Sequence, residues 1–312
     1  MEEAEFEKLV SEYINRRADK DEWMKLGFDE FQTMEINRGM DNGVNVLIYC
    51  NPEFNAASMK SLRLGLEEGI DVSPFATPEF DYMQMEEIKE CLRSGIDIED
   101  VCNPSYSNSV IREIRLARVN GYDVVHYAKL GYSGEILRQI RLARKDDIDI
   151  DFFVRDNFDP FQLNEIRLGI KSCVDVSKFM LHEYTGEQME QLRLGLENGV
   201  DIDVYNFTGF SSGQMKEIRL GLEAGIDVTP YADPFYDSVT MKEMREKEER
   251  GDSAEEPKLD DLQSQEILLG LMSGVDVSLY ADARYSFHQM EAIRVRLERG
   301  EDASDLLIYA NC

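Results

Sequence analysis

The amino-acid sequence predicts an all-α fold, an α-solenoid of about eleven 26-residue repeats. Three observations predict it: anchor residues recur at a fixed interval, a helix-capping residue precedes each anchor, and a glycine or a substitute follows. The anchors are Ile36, Leu62, Ile88, Ile114, Ile140, Ile166, Leu192, Ile218, Met244, Ile267 and Ile293. The interval between them is constant along the chain except for one shorter step, between Met244 and Ile267.

Each repeat opens with an aromatic residue followed by a residue that caps helices. Asp, Asn, Ser and Thr side chains accept hydrogen bonds from the free N–H groups of a first helical turn. The pairs are Phe28-Asp29, Phe54-Asn55, Phe80-Asp81, Tyr106-Ser107, Tyr132-Ser133, Phe158-Asp159, Tyr184-Thr185, Phe210-Ser211, Tyr236-Asp237, Tyr285-Ser286 and the weaker Leu259-Asp260. A glutamine three residues after the cap completes a capping box at Gln32, Gln84, Gln162, Gln188, Gln214, Gln263 and Gln289.

A helix of about twelve residues follows each cap. In one repeat Met215, Ile218 and Leu222 form a single apolar stripe. Gly221 lies beside this stripe, and its recurrence predicts the close approach of a neighbouring backbone. Gly225 ends the helix in a left-handed conformation. A second capped turn then follows, no longer than a 3₁₀ or single α turn. One long helix and one short turn per repeat predict a curved, right-handed superhelix.

Departures from the repeat divide the chain. Residues 1–25 are expected to form an N-terminal capping helix seated by Trp23, and residues 26–245 the main solenoid lobe. Residues 246–258 are expected to be a mobile, charged interruption, and residues 259–312 a two-repeat C-terminal lobe. The sequence around Leu307–Ala310 ends in a short turn without a polar cap, which a missing partner or a truncated chain would explain.

The chain is strongly acidic, with 63 acidic against 34 basic side chains and a formal charge of −29. This balance excludes a membrane protein, opposes direct binding of nucleic acid and favours basic partners. The acidic N-terminal stretch lacks a signal-peptide pattern, and the five cysteines form no CxxC pair. Free thiols in a reducing cytoplasm are therefore expected. Cys91 and Cys173 stand where other repeats have glycine.

Two polar rows follow the repeat. The Arg row is Arg63, Arg115, Arg141, Arg167, Arg193, Arg219, Arg245 and Arg294, and the Asp row is Asp71, Asp97, Asp123, Asp149, Asp175, Asp201, Asp227, Asp276 and Asp302. Because such uniform rows track the repeat, we interpret them as structural: Asp accepts from N–H groups of its own turn, and Arg pairs with it or with a neighbouring Glu. The alternative is a ligand-binding ladder. The aromatic row is likewise interpreted as core, with a peptide groove as the alternative.

A cationic cluster interrupts this pattern in the fourth and fifth repeats. Arg118 and Arg144 replace the usual Leu, Ile or Met, and residues 110–145 hold 8 basic and 3 acidic side chains. Repeat spacing places three Arg pairs on adjacent helices, with a lysine beside them. The cluster comprises Arg112, Arg115, Arg118, Arg138, Arg141, Arg144 and Lys145. We consider it a candidate partner-binding site for an acidic protein patch, a phosphate or a nucleic-acid end. Alternatively, the Arg stems pack along the core edge and their charges are neutralised by neighbouring acids.

Motifs of catalysis are not found in the sequence. It holds no HExxH, GxSxG or P-loop pattern, and the histidines His126, His182 and His288 occupy unrelated repeat positions. The Asp row lacks EF-hand spacing. We therefore expect no enzyme activity, no cofactor and no metal site.

The motif QMxEIRxGLExGxDVxxYAxPxF resembles that of uncharacterised 26-residue α-helical repeat proteins of gut Firmicutes and of their plasmids and phages. The resemblance covers about residues 28–303. It implies an α-solenoid and a mobile-element setting, and it carries over no activity and no functional residue.

Together these observations favour a non-enzymatic scaffold that binds a protein partner. The alternative is an acidic phage or mobile-element inhibitor that mimics nucleic acid and blocks a host defence or nucleic-acid-binding protein. The basic groove of such a protein would then be the partner, whereas membranes and naked nucleic acid would not.

Overall fold

A computed structural model describes residues 3–251 and 259–307, and all the regular secondary structure in those ranges is helical. The expected all-α class is confirmed. The chain divides into two compact units, Met1–Leu163 and Asn164–Cys312, which are described separately. The lobe boundaries expected from the sequence stay predictions. None of the helices in the described ranges is long and apolar enough to cross a membrane.

The first unit consists of long helices joined by short turns, and its long helices pack against their successors. Its helices are α1 (Glu3–Arg16), α2 (Lys20–Lys25), α3 (Glu30–Asp41), α4 (Ala56–Glu67), α5 (Tyr82–Arg93), α6 (Asn108–Val119), α7 (Val125–Lys129), α8 (Gly134–Lys145), α9 (Asp151–Arg155) and the start of α10 (Pro160–Lys171). Short 3₁₀ turns occupy Val46–Ile48 and Ser73–Phe75.

The second unit has the same alternation of long helix and short turn. After α10 come α11 (Gly186–Glu197), α12 (Ser212–Glu223), α13 (Ser238–Glu249), α14 (Asp261–Ser273) and α15 (Phe287–Glu298), with 3₁₀ turns at Val176–Lys178, Ile202–Val204, Val277–Leu279 and Ser304–Leu306. Helices α11, α12 and α13 pack in succession, and α14 packs on α15. The last two helices enclose a core of their own around Tyr280, Tyr285, Met290 and Ile293.

The N-terminal segment contains two helices where one was expected. Trp23, on α2, is fully buried and packs edge-on against Tyr13 of α1 and Phe28, with ring centroids 5.4 and 5.5 Å away. The expectation that Trp23 seats the first helix is confirmed. Asp19 and Glu22 form a capping box at the start of α2.

The helix ends follow the predicted chemistry. All seven capping glutamines accept a hydrogen bond from the N–H of the cap residue three positions before them. Left-handed glycines such as Gly225 follow the helices, and Asp147 and Cys173 adopt the same positive φ at equivalent positions. A non-glycine residue in this conformation is uncommon, so Cys173 substitutes for glycine at a conformational cost.

The helical glycines are explained by a side chain and not by a backbone. The hydroxyl of the tyrosine ten residues later fills the space beside four of these glycines: Gly39, Gly195, Gly221 and Gly270. A Cβ at any of the four positions would overlap that hydroxyl. The expectation of a close neighbouring backbone is therefore wrong. The short turn folds back onto its own long helix, and the tyrosine needs a position without a side chain.

Helix α13 extends further than the sequence suggests. The charged interruption was expected from residue 246, but the helix continues to Glu249, where Arg245 pairs with Glu249 and Lys242 with Glu246. The remaining residues of that segment, 252–258, and the C-terminal residues 308–312 lie outside the described residues.

Candidate functional site

The Arg row forms ion pairs from one long helix to the preceding one. In both units the Arg donates to a Glu 28 residues earlier over 2.6–3.0 Å, and both side chains are largely buried. The pairs are Arg63–Glu35, Arg115–Glu87, Arg141–Glu113, Arg193–Glu165, Arg245–Glu217 and Arg294–Glu266. We call this set the Arg–Glu ladder. Arg219 meets Gln191 instead, at 3.1 Å. The structural interpretation of the paired arginines is confirmed.

The Asp row is confirmed as a set of turn caps. Each of its nine aspartates accepts a hydrogen bond from the backbone N–H two residues later. All nine residues are also exposed. Hydrogen bonds from Ser177, Ser278 and Ser304 lower the pKa of the aspartates they contact. Each unit therefore presents a series of exposed aspartate side chains at its turns.

Bridging glutamines join one helix to the start of the next. The Gln214 side chain accepts from the Ser211 N–H and donates to the carbonyls of Pro234 and Tyr236. The same bridge, to carbonyls 20 and 22 residues later, is made by Gln32, Gln84, Gln188 and Gln263. All these glutamines are buried.

Most of the cationic cluster is neutralised by neighbouring acids. Arg112 and Arg115 both donate to Glu87, at 2.7 and 3.0 Å, while Arg141 belongs to the ladder. Arg118 donates to the Asp97 carbonyl and to Asp100, at 2.8 and 3.3 Å. Asp100 is also bound by Lys129 at 2.6 Å, and Arg144 reaches both oxygens of Asp151.

Two cations of the cluster remain available. Arg138 and Lys145 lie exposed on α8, and neither forms an ion pair with a described residue. Arg112 and Arg144 are paired but half-exposed. The structure thus places the predicted residues on α6 and α8, and it leaves Arg138 and Lys145 as the two members without an ion pair to a described residue.

A cavity of about 510 Å³ lies near this cluster, where a bridging glutamine is missing. Val110 occupies the glutamine position, and its apolar side chain cannot donate to the carbonyls of Leu130 and Tyr132, which lie at the 20- and 22-residue offsets of the bridge. The rim carries Lys129 and three serine hydroxyls, and one of these serines, Ser133, caps α8.

The second unit contains an apolar cleft that the sequence pattern did not single out. Its volume is about 530 Å³, and Val204, Phe207, Phe210, Phe235 and Leu306 contribute its apolar lining. Phe207 is 56% exposed and Phe235 is 49% exposed, whereas Phe210 is buried. The aromatic row itself is mostly core, as expected, so exposed aromatic rings in this cleft are exceptions to the repeat.

Phe207 stands at a repeat position that holds a polar turn cap in several other repeats. Repeat spacing aligns it with Asn51, Asn103 and Asp233, which accept the N–H two residues later at 2.9–3.0 Å, and also with Leu181, Lys129 and Arg155, which carry no acceptor. A phenylalanine cannot accept that bond. The residue two positions on, Gly209, would collide with the Phe207 ring if it carried a Cβ. The signal was present in the sequence as a broken polar position followed by a glycine.

The remaining reactive side chains form no cluster in the part of the chain that the structure describes. Cys50, Cys91, Cys102 and Cys173 are free thiols, and burial raises the pKa of Cys91 to about 11 and of Cys50 to about 12. The three histidines are exposed, as expected, and His288 stacks on Phe235 at 5.8 Å. Across residues 3–251 and 259–307, no three His, Cys, Asp or Glu side chains are arranged to hold a metal ion.

Comparison of the chain with protein-family models, curated proteins and solved structures finds no significant match.

Proposed function

We propose that the chain is a non-enzymatic scaffold, a curved right-handed α-solenoid of about eleven repeats, that binds a protein partner in the reducing cytoplasm. Support for the repeat architecture comes from the constant offsets of its bonds. Arg–Glu pairs span 28 residues and glutamine bridges span 20 and 22 residues in both units. Equal offsets arise when each helix meets the next in the same way.

Phe207 is the observation that carries the binding function. Its exposed ring replaces a turn cap, a loss of roughly 0.5–1.5 kcal/mol for one hydrogen bond. The ring also occupies the space that a Cβ at position 209 would fill, which Gly209 leaves free. A residue that costs stability and exposes an aromatic surface beside Phe235 is best explained by a bound partner. The cleft suits an apolar side chain of a peptide segment, and the acidic chain favours basic residues flanking it.

The experiment is a selection of phage-displayed peptides on the wild-type chain, followed by binding to variants. Phe207→Asn restores the residue that the repeat uses at Asn51 and Asn103, so we expect it to raise stability while abolishing peptide binding. Phe31→Ser, which changes an exposed phenylalanine of the first unit, should bind as wild type. Selected peptides that bind Phe207→Asn equally well, or a failure to select any, would contradict the proposal.

A second candidate function rests on the exposed Asp row. Regularly spaced, exposed carboxyl groups could imitate a phosphate backbone and occupy the basic groove of a nucleic-acid-binding or defence protein, as expected of a mobile-element inhibitor. Asn45 caps its own turn in the same way as these aspartates, so Asp→Asn changes remove charge while keeping the cap. The test is inhibition of a panel of endonucleases by the wild-type chain. Inhibition that weakens as salt is raised, and that is lost in the triple variant Asp201→Asn/Asp227→Asn/Asp276→Asn, would support this candidate.

A further inference from the structure

Neighbouring long helices also meet at their C-terminal ends, through side chains 25 residues apart in the sequence. The residue at the end of one helix contacts the last residue of the next. The contacts are Asn42 to Glu67 at 2.7 Å, Asn198 to Glu223 at 2.7 Å, Ser273 to Glu298 at 2.6 Å, and an ion pair of Glu68 with Arg93 at 2.9 Å. We call them the C-terminal pairs. In each of them a carboxylate meets a hydrogen-bond donor.

An asparagine followed by glycine occupies this helix end in three repeats. The dipeptides are Asn42-Gly43, Asn120-Gly121 and Asn198-Gly199, and all six residues are exposed. Each glycine has a positive φ, the backbone conformation that favours glycine. Because glycine has no Cβ, its backbone nitrogen is the least hindered nucleophile that can follow an asparagine. These are therefore the positions at which the side-chain amide is most open to attack by the chain itself.

The reaction requires water and no other reagent. The Gly43 backbone nitrogen loses its proton and bonds to Cγ of Asn42, which closes a succinimide ring. The side-chain amide group takes up a proton and leaves as ammonia, and water then opens the ring at either carbonyl to give aspartate or isoaspartate. In the folded chain this nitrogen donates to the Met40 carbonyl at 3.3 Å. The bond lies at the end of a helix, where fraying frees the nitrogen.

We propose that Asn42, Asn120 and Asn198 are sites of spontaneous deamidation, and that the reaction changes how neighbouring long helices are held together. At Asn42 the aspartate product loses the donor and places a second negative charge against Glu67. Asn198 faces Glu223 in the same way. Like charges in such close positions are destabilising, so deamidation at these two sites weakens the contacts of α3 with α4 and of α11 with α12.

Deamidation of Asn120 has the opposite consequence. The residue 25 positions later is Lys145, which is exposed and forms no ion pair with a described residue. The Asn120 amide donates within its own helix. An aspartate at this position would provide Lys145 with the kind of ion pair that Glu68 forms with Arg93. The contact between α6 and α8 is thereby strengthened.

The first test is peptide mapping by mass spectrometry of the full chain, held folded in warm, mildly alkaline buffer. Asn42, Asn120 and Asn198 should each convert progressively from amide to carboxyl. Asn45 is the control within the chain, because it is also exposed but is followed by valine. Conversion at the three sites that is no faster than at Asn45 would overturn the proposal.

The second test measures the melting temperatures of variants. Asn42→Asp/Asn198→Asp should lower the melting temperature and Asn120→Asp should raise it, by roughly 1–3 °C per site, since exposed charge pairs contribute little. Asn42→Ser/Asn198→Ser keeps the donor that Ser273 supplies elsewhere and cannot deamidate at these positions. On ageing, the wild-type chain should lose melting temperature relative to this serine variant. Shifts of the same sign in the two aspartate variants would contradict the proposed contacts.

Discussion

The hydroxyl of Tyr231 lies over Gly221, so that a methyl group at this helical position would overlap it. Tyr231 is fully buried, and burial raises its pKa well above the usual range of a tyrosine. The pair joins the short turn of a repeat to the long helix before it. Glycine is normally a weak helix former, and here the packing of the turn explains its presence.

We expect Gly221→Ala to destabilise the protein even though alanine favours helix. Overpacking costs roughly 1–3 kcal/mol, against a gain of about 1 kcal/mol in helix propensity. Removing the hydroxyl by Tyr231→Phe should relieve part of the overlap. The double variant should therefore lose less free energy of unfolding than the two single variants lose in total. Urea unfolding of the four proteins measures this coupling. Strictly additive effects would show that the hydroxyl is not the obstacle.

Substitution of a bridging glutamine should reduce stability more than substitution at most other polar positions. Gln214→Ala leaves the Ser211 N–H and two carbonyls without their partner, and each unpaired buried group costs roughly 1–3 kcal/mol. A fall in melting temperature is expected. The reverse change, Val110→Gln, places a glutamine beside the 510 Å³ cavity and should raise the melting temperature. If Val110→Gln were destabilising, the cavity would not result from the missing bridge.

Asp233 should make the protein less stable as pH rises. The group is buried, which raises its pKa. Its contribution is therefore most favourable below the pKa of an unfolded aspartate, about 4, and is lost as pH rises through the higher folded value. Asn51 and Asn103 show that the position accepts asparagine. Asp233→Asn should raise the melting temperature at pH 7 and change it little at pH 3.

Asp282 provides the matched comparison. It occupies the equivalent turn position, but Arg284 lowers its pKa. Its stabilising contribution is present at neutral pH and is lost as pH falls through the lowered value. Asp282→Asn should therefore lower the melting temperature at pH 7, opposite in sign to Asp233→Asn. Equal effects of the two changes would mean that burial and ion pairing do not distinguish these aspartates.

The cationic cluster separates into residues needed for folding and residues available for binding. Arg141→Leu leaves Glu113 buried without its partner, and breaking a buried ion pair costs roughly 3–5 kcal/mol. Arg138→Glu/Lys145→Glu changes two exposed side chains, so stability should stay within about 0.5 kcal/mol. If the cluster binds acidic surfaces, the second variant should lose affinity for polyglutamate in fluorescence anisotropy. Unchanged affinity would remove the cluster from the candidate sites.

Local rules recover much of this fold from sequence. The helix caps, such as Asp29 and Ser211, can be predicted from sequence because each depends on one hydrogen bond between a side chain and a backbone group three residues away. Tyr231 over Gly221 is not readable in this way, because the contact depends on how the turn folds back. The five-residue helices α7 and α9 appear where the equivalent turns elsewhere are 3₁₀ or irregular, a difference that propensity alone does not resolve.

The candidate site is less readable from the sequence than the fold is. The cluster drew attention because arginine at Arg118 and Arg144 is conspicuous, yet both side chains meet nearby acids. Phe207 is inconspicuous in the sequence because aromatic residues are common in every repeat. Its replacement of a polar turn cap is visible in the sequence, and the structure adds that its ring is exposed.

The constant bond offsets have a genetic consequence. A recombination event that duplicates or deletes one whole repeat in frame keeps donor and acceptor together wherever the newly adjoining repeats both carry the ladder or bridge residues, since each bond reaches only the adjoining repeat. The protein could thus change length without passing through a misfolded intermediate. The shortened interval before Ile267 breaks this exchangeability, so the last two repeats should be inherited as a fixed block while the preceding ones vary in number.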